Sequence, residues 1–416
     1  MTTIALDTNP EIIDTTTVEG RFVGVHVLRP VVGVNLNANQ DGTPKTLSLG
    51  GATRMRVSSQ AKKRAVRDWI LTLTEKQEQA VRTNRIPGAA AEALAQSADV
   101  DFEDALNTII ALLSSKGSGA VSFTIEAQRP TRTREGVFVP YTTPSLLAKI
   151  AQDNWDDLAN ARTEVANART EGAEKIEAAT SQKAKKDIIL AITVTLPATL
   201  RNEVRAAFSP GANKEIALSG RMLTALPDGD VDGAISVAHS YTVDPMQTIR
   251  DEYTWKDDWQ DGGFDESTSG AGHLGETILG SGTFYEWAAL DRDQLRANLK
   301  AHSGLEGDTL NEAVTDAERL FVSAFASATP SAHSRNTGSQ APFALTVAAV
   351  SDRPPLTLPV FENPIVDDVS YTAATRIADY LVRSQRRHPI NGGIAIWDAS
   401  LPAEVPEFPA TIAVEA

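Results

Sequence analysis

Strand-like and helix-like segments alternate irregularly along this chain, and long polar insertions separate them. The clearest strand, RFVGVHVLRP, runs from Arg21 to Pro30, where β-branched residues alternate with other types. Further strands are predicted at 120–128, 187–196, 215–222, 234–243, 282–290 and 343–350. Helices are predicted from Ser58 or Ser59, within 88–115, from Thr143-Pro144, over about 291–328 and around Ile377, Tyr380 and Leu381. This pattern favours an α+β fold on a small sheet.

The chain has 416 residues, which predicts two domains or one core with large insertions. Residues 1–17 are polar and aperiodic and predict a flexible leader. The Pro-rich end from Leu401 predicts a loose tail. Residues 244–283 combine nine acids with aromatic and Gly/Ser-rich stretches and predict a protruding irregular arm. Residues 156–187 hold few large apolar side chains and predict a solvated, partly helical projection.

The composition excludes several protein classes. The chain has no cysteine, which rules out disulfides and thiolate metal sites and suits a reducing cytoplasm. No apolar stretch approaches the roughly 18 residues of a membrane helix. The acidic beginning of the chain is unlike a signal peptide. A net charge of −15 opposes nucleic-acid binding on average, but one basic face is sufficient for it.

One segment of this acidic chain carries positive charge alone. Between Gly42 and Arg67 there is no acid, and seven cations occur: Lys45, Arg54, Arg56, Lys62, Lys63, Arg64 and Arg67. Cations at the start of a helix are tolerated best where an anion lies against the first turn, since the helix dipole already makes that end positive. Ser58, Ser59 and Gln60 add neutral donors for phosphate or ribose oxygens. A solvated basic helix face is the alternative interpretation.

Three ordered segments resemble the crRNA-binding backbone subunit of type I-E CRISPR Cascade complexes (the CasC family). The first is HVLRPVVGVNLNANQDGTPKTLSLGGATRMRVSSQAKKRAVR, residues 26–67. The second is IALSGRM (216–222) with VDGAISVAHS (231–240), and the third is GHLGETILGSGTFYEWA (272–288). The chain departs from the family at Ala38-Asn39-Gln40, where one backbone-binding arginine of the family is missing.

The resemblance implies a modified RRM-like (ferredoxin-like) palm with inserted helical fingers and a protruding thumb. The palm would comprise residues 18–78, 236–243 and 284–398. The fingers would be residues 79–235 and the thumb residues 244–283, with a C-terminal tail at 399–416.

The resemblance also implies a non-catalytic cytoplasmic role in antiviral defence, with several copies along one crRNA. The partners would be crRNA, further copies of the chain, the other Cascade subunits and target DNA through the guide; no cofactor, metal or membrane is expected. The residues expected to contact RNA are Lys45, Ser58, Ser59, Gln60, Lys63 and Arg64 in the loop and helix start, Met222, and Tyr253, Thr254 and Leu274 in the thumb.

Two other functions are compatible with the same residues. A CRISPR RNA-processing endonuclease can share the RRM-like fold and would need His26 for cleavage. A self-assembling structural protein would bind an acidic neighbour, without RNA, through the basic segment. Metal-dependent cleavage is disfavoured because the loop after the first strand offers Asn35, Asn37, Asn39 and only Asp41 as ligands, and the pair Asp257–Asp258 is an ordinary surface feature.

Overall fold

The structure is a computed structural model, and it describes residues 13–192, 194–255, 273–330, 341–398 and 406–415. The chain divides into two compact units. Unit 1 comprises residues 1–73, 235–293 and 315–416, and unit 2 comprises residues 74–234 and 294–314.

Unit 1 is built on a mostly antiparallel sheet of ten strands. Its strands are β1 (Phe22–Val34), β2 (Thr46–Leu49), β3 (Ala52–Val57), β6 (Ile235–Val237), β7 (Ser240–Thr242), β8 (Gln247–Trp255), β9 (His273–Asp291), β10 (Leu345–Ser351), β11 (Gly392–Trp397) and β12 (Ile412–Glu415). The order across the sheet is β12-β11-β10-β1-β9-β7-β3-β2, and β6 and β8 also pair with β9. The mixed α/β class predicted from the sequence is therefore observed.

Strand β1 forms the middle of this sheet and continues four residues beyond the predicted end at Pro30. It pairs with β10 only as far as Leu28, whereas its pairing with β9 reaches Val34. Pro30 is therefore tolerated because one side of the strand has no partner there. The helices that complete unit 1 are α1 (Ser59–Leu73), α11 (Val369–Ser384) and the end of α10 (Gly307–Ser327).

Unit 2 is mainly helical and encloses its own core. Its two-stranded sheet is β4 (Ala80–Thr83) with β5 (Val137–Pro140). Its helices are α2 (Ile86–Ala98), α3 (Phe102–Leu113), α4 (Thr143–Asp153), α5 (Ala159–Ala178), α6 (Gln182–Asp187), α7 (Ala198–Ala207), α8 (Lys214–Ser219) and most of α9 (Arg292–Ser303). Residues 294–314 belong to unit 2, where Asn298 on α9 donates to the carbonyls of Ala217 and Asp232 at 2.8 and 2.7 Å.

Three strands predicted within unit 2 were wrong. In residues 120–128 and 187–196, buried apolar side chains alternate with more exposed ones. The described residues of these segments form only isolated β-bridges and no continuous ladder of strand hydrogen bonds. The alternation therefore reflects packing against the core. Residues 214–219 of the predicted strand 215–222 form a helix, capped by the Asn213 carboxamide on the Ile216 amide. A short apolar run is compatible with a strand or with a helix. Here the Asn213 cap and Gly220, at φ +70°, favour the helix.

Both predicted loose ends are partly ordered. Within residues 13–17, the Ile13 amide and the Thr15 hydroxyl donate to Ser323 and Glu318 on α10. At the other end, β12 pairs in parallel with β11. Polar sequence predicted mobility, but these segments are held by partners that are distant in the chain.

The predicted irregular arm contains a regular ribbon, and the projection predicted as partly helical contains two helices. Strand β8 and the first part of β9 form a long antiparallel ribbon from Gln247↔Ser281 to Trp255↔His273. In the segment 156–187, helix α5 buries Val165, Ala168 and Gly172, and α6 follows it. No helix in the described ranges is long and apolar enough to cross a membrane.

Candidate nucleic-acid interface

The loop after β1 folds back onto the junction between β3 and α1. The Asn35 carboxamide donates to the Gly42 carbonyl at 2.8 Å, which closes the loop. The Asn37 side chain accepts from the Ser58 amide at 3.0 Å, while its carbonyl accepts from the Lys45 amide at 2.8 Å. Through Asn37 the loop lysine and the helix start, 13 residues apart in sequence, are held together. The Asn-rich composition is thus explained by loop closure.

The first turn of α1 is capped by Ser58, a predicted RNA contact that the structure places among the buried residues. The Ser58 hydroxyl accepts from the Ala61 amide at 3.3 Å, as an N-cap serine does. The Ser59 amide donates to His239 Nδ1 at 3.1 Å, and Gln60 is exposed beside it. This region, consisting of Lys45, Arg56, Ser58–Gln60, Lys63 and Arg64, is called the basic turn below.

Sequence predicted no role for His239, yet this exposed side chain contacts the basic turn. Its Nδ1 faces two obligatory donors, the Ser59 amide at 3.1 Å and the Arg56 guanidinium at 3.5 Å. Nδ1 is therefore the acceptor of these contacts. Sequence alone could not find this contact, because His239 lies 180 residues from Ser59.

Two of the seven cations of the acid-free segment belong to the interior and cannot contact a ligand at the surface. Arg54 is fully buried and donates to the Thr242 carbonyl at 2.9 Å. Lys62 is also fully buried, with its ammonium 2.5 Å from Glu286 Oε2 and 2.6 Å from the Ala328 carbonyl. Burial lowers the pKa of Lys62 to about 8, against the opposing attraction of Glu286. Neither residue was among the predicted RNA contacts, and the acid-free segment presents fewer cations to solvent than its sequence contains.

Arg64 and Lys63 lie on the outer side of the same helix turn. Arg64 pairs with Asp68 one turn along α1, at 2.9 Å, with 73% of the arginine side chain exposed. Such i,i+4 pairs at the surface contribute only about 0.3–0.5 kcal/mol, so a phosphate can displace Asp68. Lys63 is half-buried. The exposed guanidinium is compatible with the predicted phosphate contact.

The predicted thumb contacts lie on the ribbon of β8 and β9. Tyr253 is 51% exposed, and its ring lies over Gly275 on the paired strand, where an added Cβ would collide with the ring. The glycine therefore leaves room for an aromatic ring that solvent can reach. Thr254 is exposed and pairs with Leu274, whose side chain lies outside the described residues. The acid pair Asp257–Asp258 also lies outside them.

Met222 belongs to unit 2 and is 75% exposed, so it does not fill a core. Its neighbours hold it from both sides. The backbone of Arg221 exchanges two hydrogen bonds with Val231, and the Leu223 amide donates to Asp230 at 2.6 Å. The Arg221 guanidinium is itself used to bind the carbonyls of Gly229 and Phe208, at 2.8 and 2.7 Å. An unbranched apolar side chain is thus presented to solvent from a fixed backbone.

The residue required by the endonuclease alternative is inaccessible. His26 is 3% exposed, and its Nδ1 lies 2.9 Å from the Tyr285 hydroxyl. Burial lowers the pKa of His26 to about 3, so the ring stays neutral and closed off from a substrate phosphate. In the loop after β1, Asp41 accepts from the Thr43 amide and hydroxyl, which lowers its pKa. The described ranges contain no group of three or more His, Cys, Asp or Glu able to hold a metal ion.

A family model described as CT1975-like protein (Cas_CT1975) matches residues 23–388. This chain is a member of the CT1975-like family. The matched residues include the basic turn, Met222 and the ribbon. All the predicted contact residues therefore lie within the part of the chain that the family model matches. The comparison with curated proteins gave no match.

Solved structures agree with this assignment. A chain of a structure titled "CRISPR RNA-guided surveillance complex, pre-nicking" is 26% identical, with 95% of this chain and 96% of that chain covered and a TM-score of 0.72. A second, titled "CRISPR RNA-guided surveillance complex", is 24% identical with the same coverage and a TM-score of 0.63. The relationship to CRISPR complex subunits predicted from the sequence is confirmed, and the assignment to type I-E stays a prediction.

Proposed function

We propose that this CT1975-like protein is a non-catalytic crRNA-binding backbone subunit of a type I-E Cascade complex, present in several copies along one guide RNA. The observation that carries the proposal is the basic turn. It gathers Lys45, Arg56 and Arg64 with the Ser59 hydroxyl and the Gln60 carboxamide, in a chain whose net charge is −15. A solvated helix face would not need Asn37 and His239 to hold the loop and the first turn in one geometry.

The strand order supports an RRM-like palm. Four strands of unit 1 interleaved with helices follow the chain order β1, β7, β9 and β10, and they lie in the spatial order β10-β1-β9-β7. Across the sheet, these are the fourth, first, third and second strands in chain order, which is the strand order of a ferredoxin-like sheet. In this proposal unit 2 provides the fingers, and the ribbon of β8 and β9 provides the thumb.

The proposed contacts divide the work of RNA binding. The basic turn binds phosphates without reading sequence, since backbone contacts position a strand but do not specify it. The Tyr253 face on the ribbon stacks against a displaced base, which contributes about 1–3 kcal/mol per base. Guide bases left exposed between such interruptions would pair with target DNA, as in other RNA-guided complexes. The protein would act in the cytoplasm with the other Cascade subunits.

The test is the triple variant K45A/K63A/R64A, coexpressed with the other complex subunits and a CRISPR array. We expect the variant to lose copurifying crRNA, visible as a lower ratio of absorbance at 260 nm to that at 280 nm. The slope of log K against log salt for RNA binding should become shallower by about 2, because each cation that neutralises a phosphate of a single strand accounts for roughly 0.7 of the slope.

The matched control is K300A/R383A/R386A, which removes the same charge from exposed positions on α9, on α11 and just after α11. The control should keep wild-type crRNA content. If the triple variant of the basic turn copurifies with as much crRNA of uniform length as the control does, the proposal is wrong. Assemblies of the wild-type chain free of nucleic acid would instead support a structural protein.

A further inference from the structure

The hairpin of β2 and β3 carries part of the basic turn but lies at the edge of the sheet. Lys45 precedes β2, and its carbonyl accepts from the Arg56 amide on β3 at 2.8 Å. In the described residues, β3 pairs with β7 through Arg56 and Val57 alone, and β2 is the last strand of the sheet. Toward the tip, the hairpin is held by single contacts, such as the hydrogen bond from the Met246 amide to the Thr53 carbonyl at 2.8 Å. The position of Lys45 therefore depends on what else supports the hairpin.

A segment that is distant in sequence, residues 359–363, lies against the tip of this hairpin and is called the strap below. Gly50, in the turn between β2 and β3, has φ +59°, and an added Cβ would overlap the carbonyl oxygen of Glu362. The next residue, Gly51, also has a positive φ of +76°, but an added Cβ would meet nothing within 4 Å there. The strap backbone thus lies directly on the hairpin at Gly50 and not at Gly51.

Arg54 joins the strap to the hairpin from inside the protein. Its Nη2 donates to the carbonyls of Phe361 and Glu362, both at 3.3 Å, and its Nη1 donates to the Thr242 carbonyl at 2.9 Å. A fully buried guanidinium is costly unless its donors find acceptors, and these acceptors come from two segments that are distant in sequence. The strap, the end of β7 and β3 are therefore held together by one side chain.

The strap is itself fixed to the core of unit 1. Phe361 is fully buried, with its ring centroid 4.9 Å from that of Tyr285. On the other side, the Arg376 guanidinium on α11 donates to the carbonyls of Val360 and Asn363 at 3.3 and 3.0 Å. The hairpin consequently rests on a support that does not depend on the basic turn.

We propose that the strap and Arg54 position the hairpin for RNA binding, by holding Lys45 and Arg56 where both can contact one RNA backbone. The proposal rests on the proposed RNA-binding function and assigns a positioning role to residues that do not contact RNA themselves. Arg54 lies two positions before Arg56 on β3, and Arg56 is hydrogen-bonded to Lys45, so a shift of the strap reaches Lys45 through this strand.

The experiment measures the affinity of the purified full chain for an oligouridylate over a range of salt concentrations. Gly50→Ala should push the strap away from the hairpin. We expect roughly a fivefold loss of affinity at low salt and a slope of log K against log salt that is shallower by about 0.7, the share of one phosphate contact on a single strand.

The matched control is Gly51→Ala, which imposes a comparable backbone strain in the same turn without the collision. It should bind RNA as the wild type does. The slope separates positioning from instability, because unfolded molecules lower the active fraction but leave the salt dependence of the folded ones unchanged.

A milder pair of variants tests the strap from its other side. Arg376→Ala removes the two hydrogen bonds to the strap, whereas Arg383→Ala removes the same charge further along α11, where the side chain is 81% exposed and pairs with Asp379. We expect roughly a twofold loss of affinity for R376A, with a slope between those of the wild type and G50A, and no change for R383A.

The outcomes distinguish this proposal from the proposed function. If G50A and R376A bind RNA like their controls while K45A/K63A/R64A does not, the positioning role is refuted and the proposed function stands. If the triple variant also binds like its control, both proposals fail. Lower affinity with a wild-type slope in G50A and R376A would mean that the strap only stabilises the fold, which overturns the proposal. If G50A does not fold, the comparison of R376A with R383A decides, and equal affinity and slope for that pair overturn it.

Discussion

Unit 1 contains a buried charge cluster of Arg29, Lys62 and Glu286. This cluster and the basic turn use neighbouring residues of helix α1, one set inside the protein and the other at its surface. Lys62 is fully buried against Glu286, while Arg64, two positions along α1, is 73% exposed. The buried cluster is completed by Arg29, whose Nε lies 3.2 Å from Glu286. Because α1 turns about 100° per residue, adjacent cations face core and solvent in turn. Charge counted along a sequence therefore overstates the charge that a surface presents.

The largest effect is expected from removing the acid of the buried cluster. Glu286→Ala leaves Arg29 and Lys62 buried without the carboxylate that both contact. We expect a loss of about 3–5 kcal/mol in the free energy of unfolding, the usual result of breaking a buried ion pair. Urea unfolding of E286A beside E286Q, which keeps an acceptor of the same shape, measures it. A loss below about 1 kcal/mol for E286A would mean that the cluster is solvated.

A smaller effect of the same cluster should appear as a dependence of stability on pH. At neutral pH the cluster holds two cations and one acid, and burial lowers the pKa of Lys62 from 10.5 to about 8. Between these values the unfolded chain binds more protons at this lysine than the folded chain does. The contribution of Lys62 to the free energy of unfolding should therefore rise with pH through this window.

The measurement compares urea unfolding of the wild type and of Lys62→Met between about pH 7 and pH 10.5, a range that includes both pKa values of the lysine. The difference between the two proteins should change with pH mainly above pH 8, because only the wild type can lose this proton. Parallel stability curves for the two proteins would show that Lys62 keeps its ordinary pKa in the folded state.

The smallest change of stability is expected at His239, which contacts the basic turn. His239→Ala removes the acceptor of the Ser59 amide and should cost about 0.5–1.5 kcal/mol of stability. RNA binding should weaken as well, with a shallower salt dependence, because Arg56 and Ser59 lose their fixed orientation. His239→Asn keeps an acceptor near the position of Nδ1 and should restore both properties. If H239A binds RNA with wild-type affinity and slope, His239 has only a structural role.

Local sequence predicted much of the framework correctly. The alternation in Phe22–Leu28 and in 282–290, and the helix start at Ser58-Ser59, depend on residues close in the chain and are observed as predicted. Predictions failed where a partner distant in sequence decided the structure. The segments 120–128 and 187–196 alternate correctly but lack a strand to pair with along their length. The tail around Ile412 looked loose because β11, its pairing partner, could not be identified from composition.

The sequence by itself determined the family, the α+β class and the position of the acid-free segment, because these properties reside in residue order and composition. Only the tertiary structure decided which cations of that segment are available, since burial depends on what packs against each face of α1. Tertiary structure also brought His239 to Ser59 and left Met222 exposed. Each of these results depends on contacts across many residues, which no local pattern encodes.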